Sequence, residues 1–223
     1  MQKVNYDNIA SDFSNSRIWM KWWEIEYFFK NYINNIENKN ILDIWCGSAR
    51  LCEQLLDLNN WLSNFKYTWV DNSAWMLENA KKSFPKSEFL LSDMTNVKFG
   101  ENINSKFDII TFIASFHHLD NLKDREETLK NIYEILDDNW IVFLTNWALD
   151  SEINNEKYLK DQIKNSQNEF LSYDYSIKFW EYARYYHCFN LNELEYLFKK
   201  VWFKIVENRL FDNKKNFISI LKK

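Results

Sequence analysis

The sequence predicts an α/β fold: a doubly wound, mostly parallel sheet of seven strands with helices on both faces and an antiparallel strand pair at the C-terminal end. Three observations carry this expectation. Short, nearly unbroken apolar runs alternate with amphipathic segments between residues 40 and 147, as strands buried on both faces alternate with covering helices. The first run stops at a tight turn, Cys46-Gly47-Ser48, and the next stops on an acid, Asp71. Beyond residue 190 the alternation gives way to one helix and two closing apolar segments.

Taken in order, residues 5–36 place Ile9, Phe13, Trp22, Ile25, Phe28, Phe29, Tyr32 and Ile36 at helical spacing, which predicts about two helices leading into the core. Asn40-Ile41-Leu42-Asp43-Ile44 is the first strand, and Leu51, Leu55, Leu56 and Leu58 mark the helix after its turn. Residues 66–71 form the second strand. The pattern repeats as helix 75–83, strand 88–91, strand 107–113, helix 124–136 and strand 141–146. A polar, aromatic-rich insertion fills 150–190, a helix spans 191–200, and segments 203–211 and 216–221 are the terminal strands. No repeat, Pro/Ser-rich linker or long single-sign charge block divides the chain. One domain is therefore expected over 1–223, with N-terminal helices to 36, a ligand-binding core over 38–147, the insertion, and the terminal helix and strand pair over 191–223.

At 46% hydrophobic and 27% charged, the composition suits a soluble globular core and excludes disorder, collagen and coiled coil. No apolar run reaches the roughly 18 residues of a spanning helix, and the start MQKVNYDNIASDF has no apolar leader core. A cytoplasmic protein with no membrane partner is expected. With 28 basic against 32 acidic residues the net charge is -4, so no overall basic excess advertises nucleic-acid binding, although a local patch stays open. Cys46, Cys52 and Cys188 are odd in number and lack metal-ligand spacing, which predicts unbonded thiols and no metal site.

In a doubly wound sheet the ligand lies beyond the carboxyl ends of the strands, so the turn after Ile44 and the acid Asp71 face one crevice. The turn offers backbone N–H groups at a helix start, and the acid can accept both hydroxyls of a ribose. Asp43 alone could cap a turn and Asp71 could be a solvated strand end. Together at this spacing they favour a nucleoside-containing cofactor. Nicotinamide dinucleotides use a similar arrangement, but their fingerprint is G-x-G-x-x-G, and residues 45–50 read Trp-Cys-Gly-Ser-Ala-Arg.

Leu42-Asp43-Ile44-x-Cys46-Gly47-Ser48-Ala49-Arg50 resembles motif I, D-x-G-x-G-x-G, of class I S-adenosylmethionine-dependent methyltransferases, with Trp45 and Ala49 in place of two glycines. The resemblance covers roughly residues 38–147 and implies a Rossmann-like fold with S-adenosyl-L-methionine as cofactor. It places Asp43 and Gly47, with Trp45 and Cys46 in the same loop, at the methionine part, Asp71 with Asn72 at the ribose, and Asp93 and Met94 at the adenine. The segment from Asp108 through Phe116-His117-His118-Leu119 falls at the methyl-transfer mouth. Tyr6-Asp7-x-Ile9-Ala10 with Phe13, Ser14 and Arg17, Thr145-Asn146-Trp147, and Arg184-Tyr185-Tyr186-His187-x-Phe189 resemble, more narrowly, the subgroup that methylates the carboxymethyl group on wobble uridine of tRNA. That narrower resemblance implies tRNA as the acceptor. A carboxylate acceptor needs no general base, so Arg184 with a histidine, His117 or His187, would hold it electrostatically.

The residues alone leave more open. Adjacent His117 and His118 point apart in an extended segment, so one should face the mouth and one should pack, without sharing a metal. Arg184, Tyr186 and His187 either hold an acidic substrate or form an aromatic lid over the sheet. The paired lysines, such as Lys81-Lys82 and Lys222-Lys223, read as solvated faces.

Glycine usage is anomalous. Two glycines stand beside eleven tryptophans, where ordinary usage predicts about 16 glycines. Trp45, Trp69, Trp75, Trp140 and Trp202 all stand where the resemblance expects glycine, and an indole at position 45 would occupy the cofactor's own space. The pattern predicts that these are glycines spelled as tryptophan because UGA was decoded as Trp in a lineage that reads it as Gly, with Trp19, Trp61 and Trp180 as further candidates. Trp22, Trp23 and Trp147 fit aromatic positions. Two other functions stay in view: a small-molecule O- or N-methyltransferase with residues 150–190 as its lid, and a non-catalytic methyltransferase-like partner protein should Trp45 be real.

Overall fold

The computed structural model describes residues 22–47, 50–58, 64–95, 106–179 and 182–223. Tyr6, Asp7, Ile9, Ala10, Phe13, Ser14, Arg17, Trp19, Ser48, Ala49, Trp61 and Trp180 lie outside the described residues. In chain order the elements are α1 (Trp23–Tyr32), β1 (Asn40–Ile44), α2 (Arg50–Leu58), β2 (Lys66–Asp71), α3 (Ala74–Ser83), β3 (Glu88–Leu91), β4 (Phe107–Ile113) and a 3₁₀ turn (Phe116–His118). There follow α4 (Leu122–Ile135), β5 (Leu136–Trp147), α5 (Asn155–Tyr158), a second 3₁₀ turn (Leu159–Asp161), β6 (Tyr173–Phe179), β7 (Tyr182–Cys188), α6 (Leu191–Lys200), β8 (Lys204–Leu210) and β9 (Asn216–Lys222).

Seven strands form one sheet in the order β3-β2-β1-β4-β5-β9-β8. The first five pair in parallel, and β9 runs antiparallel to both β5 and β8, so the predicted doubly wound sheet with its antiparallel end is the observed one. Side-chain alternation sorts the strands into two cores. Leu42, Ile44, Val70, Ile110, Phe112, Val142 and Leu144 pack with Leu129 and Ile132 of α4 and Leu194, Leu197 and Phe198 of α6. Ile41, Trp69, Ile109 and Phe143 pack on the other face with Ile25 and Phe28 of α1, Leu51 and Leu55 of α2, and Leu77 of α3. Helix starts are set by side chains: Ser73 Oγ accepts from Met76 N–H, Asn121 Oδ1 from Asp124 N–H and Asn190 Oδ1 from Glu193 N–H.

Two segments differ from expectation. The helix after β4 stops at Ile135, and β5 starts at Leu136, which pairs with Phe107; pairing resumes at Ile141 opposite Ile109, with residues 137–140 in the irregularity between. The left-handed residue there is Asn139, at φ 71°, so Trp140 lies one position beyond the turn, within β5. Residues 150–190, expected as an irregular insertion, contain the β6–β7 hairpin. Its signal is a period of two, with Tyr173, Tyr175, Ile177 and Phe179 alternating with Asp174, Ser176 and Lys178. The polar half of that alternation hides the strand. The hairpin seats itself through Tyr175, Ile177, Tyr186 and Cys188, which cluster with Leu149. No helix among the described residues is long and apolar enough to cross a membrane.

The tightest aromatic contact joins α1 to the sheet: Phe28 and Phe143 stack with ring centroids 4.4 Å apart and planes 2° from parallel. Phe143→Ala leaves a cavity that the rigid strand cannot collapse, and it should cost about 3–5 kcal/mol, read as a lowered urea midpoint at unchanged m-value.

Candidate active site

The chain leaves β1 at Ile44 and runs left-handed at Trp45 (φ 54°) and Gly47 (φ 55°). The Gly47 N–H donates to Asp71 Oδ2 at 3.0 Å, and the Ser73 N–H donates to Asp71 Oδ1 at 2.9 Å. Asp71, at the end of β2, thereby joins the turn after β1 to the start of α3. Among the described residues, a Cβ placed on Gly47 would meet nothing within 4 Å, so its bare main chain lies beside a buried carboxylate. That is the bed a nucleoside cofactor requires.

Asp43 lies on the same face of the sheet as its register partner Trp69 and, two residues beyond that, Asp71. It accepts from Tyr67 Oη at 3.0 Å and from Thr111 Oγ1 at 2.9 Å, one partner on each neighbouring strand. Burial pushes its carboxyl up to about 7; the two hydrogen bonds oppose the rise and the nearby Asp71 charge adds to it. Burial likewise pushes the Cys46 thiol well up, so it is no nucleophile. Asn72 is exposed beside Asp71. Asp93 Oδ1 accepts from the N–H and Oγ1 of Thr95, closing a local turn. The Met94 side chain is wholly buried in the core, which leaves only its main chain to meet an adenine, and its carbonyl already accepts from Thr128 Oγ1 at 3.3 Å.

Trp45 fits this bed poorly. Its half-buried indole packs against the α4/α6 core with its ring 6.2 Å from that of His118, and its buried Nε1–H has no acceptor among the described residues. Gly47 and Asp71 suit an adenosyl cofactor, whereas the indole reaches from their turn toward the mouth.

The mouth is built by the 3₁₀ turn, β5 and β7. His117 is buried and its Nδ1 accepts from the Trp147 N–H at 3.2 Å, which puts the proton of a neutral ring on Nε2. His118 is half-buried and its Nδ1 lies 2.8 Å from the Tyr185 carbonyl oxygen, so there Nδ1 donates. The pair does not point apart as expected, because it sits in a 3₁₀ turn rather than an extended segment and the two rings meet edge to face at 4.6 Å; it is His117, the expected catalytic residue, that packs, and His118 that is the more accessible. Tyr186 covers both, at 5.1 Å and 4.5 Å between ring centroids, and stacks on Trp147 at 5.1 Å. Arg184 is buried with its guanidinium 5.4 Å from the Phe179 ring and 5.1 Å from the Tyr186 ring. Arg184, His117, His118, Trp147 and Tyr186 thus come together.

His187 does not join them. Alternation along β7 turns it to the other side, where Nδ1 lies 2.7 Å from Asp174 Oδ1 and Nε2 lies 2.8 Å from Glu193 Oε2. Ionised carboxylates only accept, so both ring nitrogens donate and no lone pair remains for chemistry. Glu193 also pairs with Arg125 at 3.1 Å, Arg125 Nε and Nη2 donate to the Leu119 carbonyl at 3.1 Å and 3.0 Å, and Tyr185 Oη donates to Asp174 at 2.6 Å. His187 is corrected from a catalytic residue to an anchor of the hairpin on α4 and α6. Burial raises the Asp174 and Glu193 carboxyls, but the His187 hydrogen bonds, followed by Tyr185 for Asp174 and the charges of His187 and Arg125, hold both below the ordinary carboxylate range. Sequence reasoning missed Arg125 and Glu193 because 68 positions separate them, and each alone reads as a surface charge.

These shifts have opposite signs in stability. Asp43 keeps its proton in the folded state up to about 7, against 3.8 for a freely solvated aspartate, so its contribution falls as pH rises through that window. Asp174 and Glu193 stabilise above the ordinary carboxylate pKa, and that stability is lost as pH falls through their lowered values. Thermal midpoints measured against pH should show Asp43→Asn removing the decline toward neutrality, and Glu193→Gln flattening the acid limb alone.

Residues 42–140 match the family described as Methyltransferase domain. A protein of Invertebrate iridescent virus 6 named as methyltransferase 235L is 25% identical over 130 residues, a stretch covering 52% of this chain and 46% of that protein, so the chain spans less than half of its length. An S-adenosylmethionine-dependent methyltransferase from Clostridium acetobutylicum superposes with TM-score 0.70 at 16% identity, covering 97% of this chain and 98% of that one. One from Methanosarcina mazei superposes with TM-score 0.67 at 20% identity, covering 88% and 96%. Over residues 42–140 the chain is thus similar to the methyltransferase family, and its fold is the one those solved S-adenosylmethionine-dependent methyltransferases share.

Proposed function

We propose that this chain transfers the methyl group of S-adenosylmethionine to a carboxylate acceptor that enters beneath the β6–β7 hairpin, the carboxymethyl group of a tRNA wobble uridine being the acceptor that its short motifs resemble. The observation that carries the reading is the Asp71 carboxylate set against the bare main chain of Gly47, with nothing among the described residues within 4 Å of where a Cβ would stand. Bound S-adenosylmethionine supplies a methyl group activated on a sulfonium. What the protein adds is alignment and exclusion of water. Each Asp71 oxygen can accept two bonds, so the carboxylate can take ribose hydroxyls while still holding the turn.

On the acceptor side, Arg184 provides a planar guanidinium set against Tyr186, which covers the two histidines. A carboxylate needs no base, which agrees with a His117 whose Nδ1 is already occupied by the Trp147 N–H. The net charge of -4 favours a second reading in which the acceptor is a small carboxylic acid rather than tRNA. Titration calorimetry should show Asp71→Ala abolishing S-adenosylmethionine binding, whereas Arg184→Ala should keep it and raise the acceptor KM. Labelled methyl transfer to bulk tRNA, compared with a metabolite extract, separates the two acceptors. Failure of both the parent and Trp45→Gly to bind the cofactor would leave a non-catalytic partner protein and overturn the reading.

A further inference from the structure

We infer that positions 45 and 202 are glycine positions: in its source organism the protein carries glycine there, from UGA codons that a different decoding spells as tryptophan. The inference at 202 is independent of any cofactor. At 45 only its consequence for ligand binding rests on the proposed methyl transfer.

The backbone makes the first demand. Trp45 and Trp202 stand at φ 54° and 65°, where the Cβ of an L-residue crowds the following carbonyl oxygen. Asparagine tolerates this region, as at Asn38, Asn139 and Asn165, and Ala114, Leu171 and Lys214 also stand there, so positive φ alone does not single out a glycine position. An indole brings no such compensation.

At position 202 the local hydrogen bonds specify the residue. The Trp202 N–H donates to the Lys199 carbonyl at 3.0 Å and the Phe203 N–H to the Phe198 carbonyl at 3.1 Å, while Phe198 and Phe203 both belong to the core. Those paired bonds and that apolar contact define a Schellman ending of α6 with residue 202 at its left-handed position, where glycine is the usual occupant. The indole there is 77% exposed, so no packing recompenses it. At position 45 the second misfit is the buried Nε1–H without an acceptor among the described residues.

Other tryptophans differ in their backbone and packing, although the Trp69 Nε1–H is likewise buried without an acceptor among the described residues. Trp22 is buried in the core on extended backbone at φ -104°, and Trp69 stacks between Phe84 and Phe89. Trp69, Trp75 and Trp140 lie in β2, α3 and β5 on backbone that any residue adopts, so geometry makes no demand for glycine at those three. Two glycines beside eleven tryptophans is the composition that a Gly-to-Trp decoding would leave.

With glycine at 45, main chain would be bare at 45 and 47, on either side of Cys46, and the space that the indole fills toward His118 would open. Peptide mass mapping of the protein isolated from its source organism reads positions 45 and 202 directly, along with 69, 75 and 140. Glycine at both 45 and 202 is the expected result, and tryptophan at either overturns the inference there. In protein made as spelled, Trp202→Gly should raise the thermal midpoint by about 2–4 °C, whereas Trp22→Gly should lower it; a fall at Trp202→Gly equal to that at Trp22→Gly also counts against the inference. Trp45→Gly should tighten S-adenosylmethionine binding at least about tenfold. Glycine in the native peptide with no cofactor binding sinks the methyltransferase reading and leaves the decoding inference standing.

Discussion

Where β1 leaves the sheet, the chain turns back on positive φ at Trp45 and Gly47, and the Gly47 N–H reaches 3.0 Å to the Asp71 carboxylate at the end of the neighbouring strand. That bond requires β1 and β2 to be parallel and in register, so that both end on the same edge of the sheet. Parallel pairing needs crossover helices, and those helices need the two apolar faces that strand alternation provides. The site is thus the end of a chain of requirements that begins with buried strands.

The edge holds two buried carboxylates in different hydrogen-bonding surroundings. Asp43 is buried among hydroxyl donors and holds its proton up to about 7, whereas Asp71 accepts backbone N–H groups on both oxygens and faces the crevice. Neutrality suits a residue that ties three strands together.

A second buried network seats the β6–β7 hairpin. His187 sits between Asp174 and Glu193, and Arg125 closes the group by holding both Glu193 and the Leu119 carbonyl. Such groups are costly to bury singly and tolerable together, so the hairpin docks with its charges matched or does not dock. Tyr185 and Tyr186 show the division along β7: the first bonds into the network, and the second covers the histidines of the mouth.

Local pattern by itself determined the sheet, its parallel sense, the crevice at Gly47 and Asp71, and the antiparallel end, because each depends on periodicity or on a turn residue close in the chain. The oddity of Trp45 and Trp202 was likewise legible, since glycine demand is a property of backbone conformation. Three-dimensional packing alone decided which histidine faces the mouth, that His187 is an anchor, that Met94 is core, and that Asn139 rather than Trp140 takes the left-handed turn. Those outcomes rest on partners far apart in sequence, such as Arg125 with Glu193, or on a one-residue choice of face along a strand. Neither leaves a local trace, because a side chain's role is fixed by what the fold places opposite it.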